Sequence, residues 1–107
     1  MFRSFGKITV AAAGTPVRCT SNESNPATVA KVQSVTVFAL AGNSGTNIYL
    51  GSSTMNKSTL AGVYAIIPKG TFVSAIIMEG NDPIAVDKLY LDADTSTDAA
   101  LVSALES

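Results

Sequence analysis

At 107 residues the chain has room for one domain with a two-layer core and none for a separate ligand module. Hydrophobic residues make up 47% of it and charged residues 14%, below the roughly 25% usual in soluble domains, so the surface is largely Ser, Thr, Asn and small apolar groups. The absence of histidine excludes Ser-His-Asp and Cys-His catalysis and histidine-bearing zinc sites, and a single cysteine, Cys19, excludes an internal disulfide.

A surface with few ions loses little when water is stripped from it, which suits wide protein contacts. The formal net charge is −1, unevenly distributed. Arg3, Lys7, Arg18, Lys31, Lys57 and Lys69 face only Glu23 before Gly70. Glu79, Asp82, Asp87, Asp92, Asp94, Asp98 and Glu106 face only Lys88 after it. Either the two sets neutralise one another within one fold, or the molecule has a basic and an acidic surface and docks onto copies of itself or a charged lattice.

In chain order, residues 1–6 read as an N-terminal arm and 7–107 as the domain. The arm carries Phe2, Arg3 and Phe5, two aromatics and a cation at a terminus, and is expected to bind a partner rather than the chain's own core. Its opening MFRSFGK has no apolar stretch of the secretory type, and no apolar run reaches the roughly 18 to 20 residues that span a bilayer, so a soluble chain with no membrane partner is expected.

Residues 5–13 and 15–20 are runs rich in Val, Ile, Ala and Thr separated by Gly14; SNESNPA, residues 21–27, is an exposed loop. Residues 32–40 form the longest strand candidate, with Val35, Val37 and Ala39 on one face and Phe38 and Leu40 on the other. The turn Gly42-Asn43-Ser44-Gly45 then reads as a hairpin, with Gly45 at positive φ, leading into a strand over Asn47–Gly51 that places Ile48 and Leu50 opposite Tyr49. Further strands are expected over residues 63–67 and 72–78, joined by the tight turn Pro68-Lys69-Gly70, with a break at Gly80-Asn81-Asp82-Pro83. The closing segment from Asp98 fits a capped helix or a strand; the alternation of Leu101, Ser103 and Leu105 with Val102 and Ala104 favours the strand. Short strands about ten residues apart, separated by Gly, Pro and Asn turns, predict an all-β sandwich or barrel.

Few residues suggest chemistry. Asp92, Asp94, Ser96 and Asp98 recur at every second position, as in a calcium loop, but Thr97 stands where such a loop has glycine and Ser103 where it has its last carboxylate. A turn whose side chains bond the local backbone is the simpler reading. Glu79, Asp82 and Asp87 show no spacing that selects a glycosidase pair, and Gly42, Gly45 and Gly51 lack the Lys-Ser/Thr of a phosphate loop. Tyr49, Tyr64 and Tyr90 offer rings for stacking sugars or bases, yet without a basic aromatic cluster no nucleic-acid partner is expected. No enzyme, cofactor or metal is expected.

Together VTVFALAGNSGTNIYLGSS, IIPKGTF and DKLYLDADTSTDAALVSAL resemble a recurrent type of small virion protein from tailed bacteriophages. The shared elements are Ala39-Leu40, Asn43-Ser44-Gly45, Ile48-Tyr49-Leu50-Gly51, Pro68-Lys69-Gly70 and Leu89-Tyr90-Leu91-Asp92-Ala93, within residues 32–98. The resemblance implies a small jelly-roll-like β-sandwich, made in the bacterial host cytoplasm and bound outside the capsid as a decoration or cement protein. Its implied partners are the major capsid protein and itself, as a trimer, and its work is to clamp capsid subunits against genome pressure. The alternative is a tail or baseplate adhesion module that binds a host-surface glycan.

Overall fold

The computed structural model describes residues 2–21, 31–76, 78–79, 82–85 and 89–106, and every regular element among them is a strand. In chain order these are β1 (Phe2–Thr9), β2 (Val17–Arg18), β3 (Lys31–Ala39), β4 (Asn47–Gly51), β5 (Val63–Pro68), β6 (Phe72–Ile76), β7 (Met78–Glu79), β8 (Asp82–Ala85), β9 (Tyr90–Ala93) and β10 (Ala99–Glu106). One sheet runs β1-β10-β3, and the far side of β3 is shared by β6, along residues 34–38, and β8, at Lys31 and Val32, with β7 beyond β8. The other runs β2-β9-β4-β5, and all pairs are antiparallel.

Setting β7 and β8 aside, the strands pair as nested couples: β1 with β10, β2 with β9, β3 with β6 and β4 with β5. That order, two four-stranded sheets made by rolling up one long antiparallel ribbon, is the jelly-roll sandwich. The hairpin expected at Gly42–Gly45 is therefore a crossing, since β3 and β4 belong to different sheets. Local alternation marks the two strands but not their partners, which lie far away in the chain.

The core fills the space between the sheets. Ile8, Val10, Val35, Val37, Ala39, Ala100, Val102 and Ala104 come from the first sheet and the residues flanking it; Ile48, Leu50, Ile67, Leu91 and Ala93 come from the second. Burying each Ile, Val or Leu contributes about 1.5 to 3 kcal/mol. The closing segment is a strand despite its helix-forming Ala and Leu, because β10 is paired on both sides, Val102 with Val37 of β3 and with Gly6 of β1.

The expected N-terminal arm is replaced by an edge strand. β1 pairs with β10 from Phe2 opposite Leu105 to Thr9 opposite Ala99, with a bulge between Ser4 and Gly6, where Gly6 takes a φ of 75°. The bulge sets Phe5 and Ile8, three residues apart, both into the core, and turns Lys7 outward. Pro83, expected to break a strand, lies within β8 opposite Met78. The turn at Pro68-Lys69-Gly70 forms as expected, with Gly70 at a φ of 80°.

Candidate functional site

Four connections meet at one end of the roll: residues 10–16, 40–46, 69–71 and 94–98. They are tied together mainly by the run DADTSTD. Asp98, 4% exposed, accepts the N–H of Ser44 on Oδ1 at 2.8 Å and that of Gly45 on Oδ2 at 2.7 Å. Asn43 closes the same junction, donating from Nδ2 to the carbonyl of Ala99 and accepting its N–H on Oδ1, both at 2.9 Å. Asp92, 1% exposed, accepts the N–H of Gly14 at 2.9 Å, and Ser96 Oγ accepts that of Ala13 at 3.0 Å. Asp94 accepts the N–H of Asn47 at 3.1 Å and the hydroxyl of Tyr49 at 2.8 Å.

The four side chains that suggested a calcium loop are thus divided among different donors. Among the described residues no group of three or more His, Cys, Asp or Glu is placed to hold a metal ion. The bonds reach other loops and β4 rather than the local backbone, Ala93 N–H to Asp92 excepted. Gly45 is needed here for space, not for positive φ: a Cβ on it would lie 2.8 Å from Asp98 Oδ2 and 2.8 Å from Thr95 Oγ1. Thr97 takes the unusual angle instead, a φ of 72° for a β-branched residue, while its N–H donates to Val10 at 2.7 Å.

The three tyrosines share the outer face of the second sheet but make no open platform. Tyr49 is buried, because the connection 52–62 passes over β4: Met55 lies against Gly51, and Lys57 Nζ reaches the carbonyl of Ala93 on β9 at 2.6 Å. Burial first, and then the bond to Asp94, raise the Tyr49 hydroxyl above its ordinary pKa. The Arg18 guanidinium stands 5.7 Å from the ring centre of Tyr90 and donates to its hydroxyl at 3.2 Å. Tyr64 alone projects, at 65% exposure.

Phe5 is a core residue, 2% exposed, which overturns its expected part in partner binding: the bulge at Gly6 sets it inward. Phe2 and Arg3 hold register with Leu105 and Ala104, and their side chains lie outside the described residues. Glu79 and Asp82 are register partners on β7 and β8, and Asp87 lies outside the described residues. Among the described residues the large apolar side chains that project are Leu60, Tyr64, Ile66, Phe72 and Leu101. Sequence reasoning listed none of these as partner contacts; the alternation that turns Tyr64 and Ile66 away from the core was the available signal.

Leu101 and Phe72 stand in one cross-strand row on the outer face of the first sheet, with half-buried Phe38 between them. The next row holds Ser103, Thr36 and Ser74, and the last two hydroxyls bond at 2.9 Å. Lys7 of β1 stands opposite Leu101 at the end of the first row, so among the described side chains this face offers apolar and hydroxyl groups, one cation and no carboxylate, a composition that suits protein contact. No family model matches the chain, and no curated protein or solved structure matches it either.

Proposed function

We propose that the chain is a structural protein of a tailed-phage particle, a decoration or cement protein on the outer surface of the capsid that bridges neighbouring copies of the major capsid protein. The observation that carries this reading is the division of labour among its side chains. The carboxylates of Asp92, Asp94 and Asp98 tie the protein's own loops and β4 together, while the side chains that project from the two sheets among the described residues are mainly apolar or hydroxyl-bearing, with Lys7 the charged exception on the first sheet. A brace between subunits needs those two properties, internal rigidity and an outer surface that is easily desolvated. The jelly roll agrees with the reading without deciding it, since the same architecture serves capsid and lectin domains. Against the glycan-binding alternative stand the covered ring of Tyr49 and the Arg18-capped ring of Tyr90.

The test is to mix the purified chain with mature shells assembled from the parent particle's major capsid protein without it. Co-sedimentation at a fixed stoichiometry, with shells more resistant to heat, is the expected result. Shells that leave the chain in the supernatant would remove the proposal.

A further inference from the structure

Exposed apolar surface gathers at the β5 edge. Of the five large apolar side chains that project from the described surface, Tyr64 and Ile66 stand on β5 and Leu60 in the connection that leads into it. Leu60 is held out at a φ of 65°, a conformation leucine rarely adopts. β5 ends its sheet, and among the described residues no strand pairs with its far side.

The ladder decides which backbone groups face that open side. Lys69 N–H donates to Thr46 C=O at 2.9 Å, so Thr46 and Lys69 form a hydrogen-bonded pair, and alternation makes Ile48 with Ile67, and Leu50 with Ala65, the next two. Ile66 lies between them, opposite Tyr49, with its N–H and C=O turned away from β4. Pro68 occupies the other outward position and has no N–H to leave unpaired.

We propose that β5 pairs antiparallel, about Ile66, with β5 of a second copy of this chain, joining two four-stranded sheets into one of eight. In that register the two Ile66 residues exchange N–H and C=O bonds, Ala65 lies opposite Ile67, and each Tyr64 ring meets the Pro68 ring of the other copy. Residues 63–67 carry no charge, so closing the contact strips water from no ion. The opposite side of the roll, where β1 and β2 end the sheets, carries Lys7 and Arg18; joining it head-to-tail to β5 would set cations against an apolar edge. An isologous contact closes at two copies, whereas the phage resemblance implies three. The inference concerns the isolated protein and holds or fails independently of the capsid reading.

Sedimentation equilibrium across a micromolar concentration series tests it. The wild-type chain is expected at twice its 11.0 kDa mass. Ile66→Lys sets two like charges against each other and is expected to weaken the dimer at least about 100-fold, while Leu101→Lys, on the other sheet, leaves it unchanged. Ile66→Cys supplies a test free of added charge. Hydrogen-bonded partners have Cα atoms about 5.5 Å apart, within disulfide range, so oxidation should link the two copies with the β circular-dichroism spectrum retained. Cys19 does not compete, because it is buried in the core. A wild-type monomer or trimer, a dimer that survives Ile66→Lys, or Ile66→Cys chains that fail to cross-link would each overturn the proposal.

Discussion

At the loop end the Asp98 carboxylate takes the N–H groups of Ser44 and Gly45, whereas at β5 the N–H and C=O of Ile66 face outward beside the exposed ring of Tyr64. Both places are where a ladder stops and backbone groups need partners. At the loop end the chain supplies them itself, from side chains more than forty residues away, and the result is stability. At the edge they are left to something outside the chain, and the result is association. The two functions are carried by different residues, so substitutions should separate them.

The largest effect is expected at Asp98. Asp98→Ala leaves the Ser44 and Gly45 amides without their acceptor and should cost about 3 kcal/mol, a loss visible in urea unfolding. Asp98→Asn keeps one acceptor oxygen and should cost about half as much. A wild-type unfolding midpoint in both variants would mean that the loop end contributes no stability and that the contrast is false.

Gly45→Ala forces a methyl group against Asp98 and Thr95 and should cost about 2 kcal/mol. Gly42→Ala, in the same loop with nothing within 4 Å of its added carbon, should be neutral in the same assay. Equal effects at the two positions would show that the loop yields rather than packs.

Alkaline pH probes two buried groups, Cys19 in the core and Tyr49 beside Asp94. Burial pushes the Cys19 thiol up to about 12, and Tyr49 is raised as well. Both groups hold their protons more tightly folded than unfolded, so their contribution is complete below the unfolded values and disappears as pH rises toward the folded ones. For Cys19 that window runs from about 9 to about 12. Urea midpoints should fall across it, and Cys19→Ala, whatever its cost at neutral pH, should flatten the fall. An unchanged slope in that variant would assign the loss to other groups.

The smallest effects are gains. Thr97→Asn relieves a β-branched residue at a φ of 72° and should stabilise by about 1 kcal/mol. Thr20 is fully buried with its hydroxyl unpartnered, unlike the carboxylates of the loop end, and Thr20→Val should stabilise by a similar amount, about 1 kcal/mol. A lower melting temperature for Thr20→Val would reveal a partner for that hydroxyl.

Much of the architecture was legible in the residues. β4 was read at Asn47–Gly51, β3 within one residue of its ends, the Pro68-Lys69-Gly70 turn at its place, and the last segment as a strand rather than a helix. That Val35, Val37 and Ala39 share a face followed from alternation alone, and the packing of the sheets turned that face inward. These are local properties, since side-chain period and turn chemistry act over a few residues.

The sequence by itself therefore determined an all-β chain with β3, β4, β5 and β10 in place and no histidine chemistry. The tertiary structure decided which strands are neighbours, and with that everything that depends on distant partners. It made Gly42–Gly45 a crossing between sheets, turned Phe5 inward through the bulge at Gly6, and gave Asp92 and Asp98 to loops, and Asp94 to β4, all remote in the chain. It also left β5 at an edge, so that the N–H and C=O of Ile66 face outward with no strand beyond them among the described residues. The physical reason is common to all four: a strand's pattern fixes which face is apolar, but its hydrogen-bonding partner is chosen by the packing of the whole chain.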